Sequence, residues 1–132
     1  PLNTDSTLNG QFVFLAERCG ELMQDNIITD RTIIDVMAFT MNAKSIPYQD
    51  KESFETYANE FIREYDYIFY ISPHGIEIED NGVRETDEHY RDLIDFTITT
   101  LIKRYGHKCN IVEKISGSTE ERIQQILNIT GL

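Results

Sequence analysis

Residues 66–95, DYIFYISPHGIEIEDNGVRETDEHYRDLID, decide how the chain is read. The run Tyr67 to Ile71 is too short for a helix and is built of aromatic and β-branched side chains, so it predicts a buried strand. A charged loop follows, with Glu77, Glu79, Asp80, Asn81, Gly82 and Arg84. Beyond it, Tyr90, Leu93, Ile94, Ile98, Leu101 and Ile102 recur at helical spacing over about 87–105, and Gly106 ends the pattern. A strand that runs into a polar, glycine-containing loop is where open α/β sheets usually place their ligands. Part of any site is expected here.

Working outward, Asp5 or Ser6 is expected to cap an amphipathic helix over 11–24, whose apolar side is Phe12, Leu15, Ala16, Cys19, Leu22 and Met23. Asn26 to Thr29 reads as a short strand ending at Asp30-Arg31. Thr32 caps a helix of dense apolar content, Ile33 to Thr40, and a loop containing Pro47 follows. A further helix is expected over about 51–64, with Phe54, Tyr57, Ala58, Phe61 and Ile62 on one face. A third strand is expected over 108–115, then a tight turn at Ser116-Gly117-Ser118 and a last helix over 119–129. Strands separated by helices call for parallel pairing with right-handed crossovers. The expected class is therefore α/β, a three-layer α/β/α parallel sheet in one domain over 1–132. Three strands make a thin sheet for that architecture, and the chain starts at Pro1 with no strand before its first helix. The sheet is accordingly expected to be N-terminally incomplete.

A domain of 132 residues buries roughly two-thirds of its unfolded surface and so holds a real core. The net charge of −11, with no Lys/Arg cluster, excludes nonspecific binding to a nucleic-acid backbone. A phosphate-bearing small molecule remains open to it, because a few arginines in one cleft can hold a triphosphate on an acidic protein. No apolar run approaches the ~20 residues of a membrane span. Cys19 and Cys109 show no metal spacing and are expected to be reduced thiols in a cytoplasmic protein.

The candidate chemistry sits at four places. Asp30 can hold Mg²⁺ through water or accept a hydroxyl proton, and Arg31 can clamp a phosphate; the same pair also suits a salt bridge and a helix cap. Arg84 and Arg91 flank the start of the long helix, where two guanidinium groups suit a transferring phosphoryl group; Glu85, Asp87, Glu88 and Asp95 stand ready to pair with them instead. Residues 77–88 imitate a calcium loop, but Glu77 stands where that motif wants Asp, Arg84 where it wants an apolar residue, and a strand precedes it. At Ser116, Gly117 and Ser118 a small-residue turn meets a helix N-terminus that can receive a phosphate or base, or serve as a plain capping box of Ser118 with Glu121. His74, His89 and His107 are dispersed, no nucleophile elbow is present, and no G-x-x-x-x-G-K-[ST] occurs within these residues.

In their order and spacing, residues 27–40, 65–84, 86–95 and 115–127 resemble the P-loop nucleoside- and nucleotide-kinase-like ATPases, in particular the AAA-type ATPase/kinase group related to ribosylnicotinamide kinases. The resemblance implies Asp30 as catalytic base or Mg²⁺ ligand, with Arg31 as its phosphate- or substrate-side partner. It implies a lid over about 74–91 whose Arg84 and Arg91 stabilise the transferred phosphoryl group, and a turn at Ser116 to Ser118 bordering the nucleotide base. ATP or GTP with Mg²⁺ would be the cofactors, and a nucleotide and a small-molecule acceptor the partners. The departure is the family's first strand and phosphate-cradling loop, without which the residues present would not bind ATP well or turn over. An ATP/GTP-binding regulatory ATPase module without an acceptor, and a non-catalytic interaction domain, are the alternatives. Oligomeric state is left open, a homo-oligomer included.

Overall fold

The computed structural model describes residues 5–73 and 88–132. In chain order these form α1 (Leu8–Leu22), α2 (Ile33–Met41), α3 (Tyr48–Ala58) continued by a 3-10 helix (Asn59–Glu64), β1 (Tyr67–Phe69), α4 (Glu88–Tyr105), a short 3-10 turn (Gly106–Lys108), β2 (Asn110–Val112) and α5 (Thr119–Thr130).

The helices start where local chemistry starts them. Thr7, rather than Asp5 or Ser6, caps α1 by accepting a hydrogen bond from the Gly10 amide. At α2 the capping box is complete: the Thr32 hydroxyl accepts from the Ile34 amide, and Asp35 accepts from the Thr32 amide at 2.7 Å. The helix expected over 51–64 begins earlier, at Tyr48 just after Pro47, and is continued by 3-10 geometry over Asn59–Glu64, so the apolar spacing continues with a changed pitch.

β1 and β2 pair in parallel, with Tyr67, Ile68 and Phe69 opposite Asn110, Ile111 and Val112. Pairing carries on past both strands, as the Tyr70 amide donates to the Val112 carbonyl and the Ile115 amide to the Tyr70 carbonyl. Parallel pairing is as expected; the strand at 26–29 is not. Those residues form no strand, Ile28 is 91% exposed, and Asn26 and Arg31 take positive φ values of 55° and 87°. A β-branched run needs a neighbouring strand to satisfy its amides, and none lies beside this one among the described residues. The sheet described is thus two strands, not three.

The core centres on α2, which packs against α1, α3 and α4. Ile33, Met37, Phe54, Ile62 and Leu101 are fully buried within it, and Ile68 brings β1 into the same cluster. Gln11, only 2% exposed, donates to the Thr40 hydroxyl at 2.8 Å, and Thr40 donates in turn to the Val36 carbonyl. This buried polar chain fixes how α1 sits on α2.

Candidate functional site

The carboxyl end of β1 is the best-defined polar locus. Tyr70 leaves the strand with its backbone held on both sides by β2 and the segment after it. Its hydroxyl donates to Asp95 on α4 and also bonds the Ser72 side chain. Burial, and then the carboxylate it faces, push the Tyr70 phenol up to about 12, so it stays a proton donor at any physiological pH. A second polar pin lies nearby on α4: Thr97 accepts from the Asn42 amide nitrogen at 2.9 Å, joining α4 to the end of α2. Together the two contacts set the rotation of α4 about its axis.

Arg91 sits in the first turn of α4, one helical turn before Asp95. Its side chain is half-buried, and the Nε atom is buried without a hydrogen-bond partner. Among the described residues it forms no ion pair with Glu88, Asp95 or any other carboxylate. A half-buried guanidinium is costly unless a counter-charge accompanies it, and none of the described carboxylates supplies one to Arg91. Arg84 and the calcium-loop-like residues 77–87 lie outside the described residues, as does all of the expected lid except its last turn, 88–91.

Asp30 and Arg31 occupy the loop before α2. Arg18 of α1 anchors that loop by donating to the Asp30 carbonyl at 3.5 Å while pairing with Glu21 at 3.0 Å. The Asp30 side chain is exposed and makes no hydrogen bond or ion pair among the described residues, whereas Arg31 lies 5.5 Å from the centre of the Phe39 ring. The first amides of α2 are taken by the protein itself, since Ile33 donates to the Tyr65 hydroxyl and Ile34 to Thr32. Burial and that amide together place the Tyr65 phenol at about 12, burial being the larger and raising cause. Asp35 is raised by burial, which outweighs its Thr32 hydrogen bonds and the Arg31 charge. The N-terminus of α2 is therefore closed to a phosphate, and the groups left to face a ligand here are the two side chains Asp30 and Arg31.

The turn at Ser116 to Ser118 is largely self-satisfied. Gln125 clamps Ser116 through both its amide and its carbonyl, at 3.2 and 2.6 Å. Ser118 and Glu121 form the expected capping box, each accepting from the other's amide at 3.1 Å. Gly117 takes φ 98°, and a Cβ there would also meet Glu121 at 3.1 Å, so glycine is required on two counts. The amides of Ser116, Ser118 and Glu121 are thus already engaged by side chains of the turn and of α5.

The structure joins Asp95 of α4 to the β1 edge through Tyr70, with Arg91 one helical turn away, and brings the start of the Ser116 turn to the same edge through the Ile115 amide on the Tyr70 carbonyl. Sequence reading passed over Tyr70 and Asp95, taking the first as one more apolar strand residue and the second as an ion-pair partner for Arg91. The signal was the position of Tyr70, the last residue before polar sequence, where a tyrosine can present its hydroxyl to a following helix.

The sequence model of a family described as an AAA domain matches residues 10–122. The chain belongs to the AAA-domain family. That membership spans α1 to the start of α5 and makes this a P-loop NTPase-like, nucleotide-binding type of domain. No curated protein and no solved structure matches significantly. In open α/β sheets the carboxyl edge of the strands is the usual place for a ligand, and here that edge is the end of β1 at Tyr70. The family's usual Mg²⁺ fits the donor set at Asp30 as one free carboxylate, which suits an ion that keeps most of its waters and shares the phosphates. Among the described residues no three His, Cys, Asp or Glu side chains are grouped as a protein-only metal site. Cys19 and Cys109 are free, and burial raises both thiols, so neither is an activated nucleophile. No helix among the described residues is long and apolar enough to cross a membrane.

Proposed function

We propose that this AAA domain serves phosphoryl transfer from a nucleoside triphosphate, ATP or GTP, and that the complete protein is a kinase of a nucleoside- or nucleotide-like acceptor. The observation that carries the reading is the half-buried Arg91, without an ion-pair partner among the described residues and one helical turn from the Asp95 that bonds Tyr70 at the end of β1, in a chain of this family. Phosphoryl transfer asks the protein mainly for positioning and positive charge, which a fixed guanidinium supplies. Arg91 and Arg84 stabilise the transferred group, Arg31 contacts phosphate or acceptor, and Asp30 orients the acceptor hydroxyl or a Mg²⁺ ion. When bound, Mg²⁺ neutralises charge on the β- and γ-phosphate oxygens. Ser116, Gly117 and Ser118 border the base. The architecture of the complete sheet in this reading is three-layered, with strands beyond the two described.

The test uses the complete protein and measures triphosphate consumption with and without added nucleosides. Acceptor-dependent turnover supports the kinase; acceptor-independent hydrolysis or binding alone supports a regulatory ATPase module, which the family description fits equally. Absence of any nucleotide binding would leave a non-catalytic interaction domain. Arg91→Ala and Arg84→Ala are each expected to lower kcat by about 10²-fold or more, the scale of a charge-stabilising arginine, while leaving the melting temperature nearly unchanged. Equal losses of activity and stability would instead assign both arginines to structural pairing.

A further inference from the structure

Arg91 and Asp95 are four residues apart on α4, the spacing at which opposite charges on a helix normally pair. They do not pair here. Asp95 instead accepts from the Tyr70 hydroxyl, whose backbone is fixed to β2 through both its amide and its carbonyl. Tyr70 therefore cannot follow Asp95 along the helix, and the carboxylate is held at the strand end. The Arg91 Nε remains buried without a partner as a result.

We propose that Tyr70 is a positioning residue that sequesters Asp95, the helix-spaced counter-ion of Arg91, and so keeps Arg91 free of an ion pair within the described residues and available for the phosphates of a nucleotide. This rests on the reading of Arg91 as an anion ligand given above. The arrangement has a specific logic. A carboxylate at this position anchors α4 against the sheet, but without Tyr70 it would neutralise the group that α4 presents.

The experiment measures the affinity of the complete protein for MgATP and for inorganic pyrophosphate by calorimetry, with thermal melts as a folding control. Arg91→Ala comes first: a clear loss of affinity supports the anion-ligand reading, and no loss overturns it together with this inference. Given that loss, Tyr70→Phe releases Asp95 and is expected to weaken both ligands about two- to fivefold, the size of one half-exposed ion pair converted at tenfold per 1.4 kcal/mol. The double variant Tyr70→Phe/Asp95→Asn removes the competing charge and is expected to return to wild-type affinity. Asp95→Asn alone keeps an acceptor for Tyr70 and is expected to bind as well as wild type or better. A merely structural Tyr70–Asp95 contact predicts the opposite, with the double variant weaker than Tyr70→Phe and Asp95→Asn impaired. Either of those results overturns the inference while leaving Arg91 itself as an anion ligand.

Discussion

At the scale of the single residue, Arg31 carries the clearest sign of a functional constraint. Its φ of 87° puts an L side chain in the left-handed region, where the Cβ crowds the backbone at a cost of about 1 kcal/mol. The Thr29 hydroxyl, donating to the Arg31 carbonyl at 2.9 Å, helps hold that turn, and the guanidinium rests over Phe39. Arg31→Gly and Arg31→Ala both delete the guanidinium, but only glycine relieves the strain. Arg31→Gly is therefore expected to melt about 3 °C above Arg31→Ala, roughly what 1 kcal/mol means for a domain of this size, while the two bind MgATP equally poorly. Thermal melts and calorimetry on the pair decide it; an alanine variant as stable as the glycine one would show that the turn stores no strain. The dipeptide Asp30-Arg31 was legible as a candidate from residue type alone. The conformation that makes Arg31 unusual was not, because glycine, asparagine or aspartate are the residues whose presence announces a positive φ.

At the scale of the element, success and failure divide by the range of the interactions. The α5 cap was readable because Ser118 and Glu121 satisfy each other within four residues. The supposed strand at 26–29 was misread because a strand is defined by a neighbour, and nothing within Asn26 to Thr29 reveals whether one is there. Phe12 shows a milder version: helical spacing put it on the apolar face, yet it is 38% exposed and packs on Phe54 with the rings tilted by 58° and their centres 5.1 Å apart. The α5 cap also gives a pH prediction. Glu121 is lowered from the ordinary glutamate value, first by the Ser118 amide and then by its hydroxyl. A carboxylate whose folded value lies below its unfolded one contributes stability in full above the unfolded value and loses it as the pH falls through the folded one. Ser118→Ala is expected to cost about 1 kcal/mol of stability at neutral pH. Glu121→Gln should flatten the acid limb of the stability–pH curve relative to wild type. Chemical denaturation across the acid range measures both, and an unchanged acid limb in Glu121→Gln would remove Glu121 from the cap.

At the scale of the molecule, the described residues form a helix-centred core rather than a sheet-centred one. The two strands are three residues each, and Ile68 is the strand residue fully buried in the cluster built around α2. Sequence patterning found every helix of that core, because apolar spacing reports burial whatever the partner, but it could not rank the elements by how much they bury. Charge acts at this same scale. The chain carries 23 acids against 12 bases, and among the described residues the ion pairs engage only Glu21, Glu55 and Glu60. Most of the excess therefore repels itself across the surface, which disfavours the compact state. At about 10 mM salt the screening length is about 30 Å, comparable to the width of a domain this size, so every acid feels the others; at about 150 mM it shrinks to about 8 Å and only near neighbours interact. Repulsion is thus screened over most pairs, while contacts such as Arg104 with Glu55 at 2.7 Å lie well inside either length and lose little. Raising NaCl from about 10 to 150 mM is expected to lift the melting temperature by about 3 °C or more, equivalent to roughly 1 kcal/mol. Differential scanning calorimetry at fixed pH measures it, and a melting temperature that fell with salt would mean that the few ion pairs, not the net charge of −11, dominate the electrostatics of this fold.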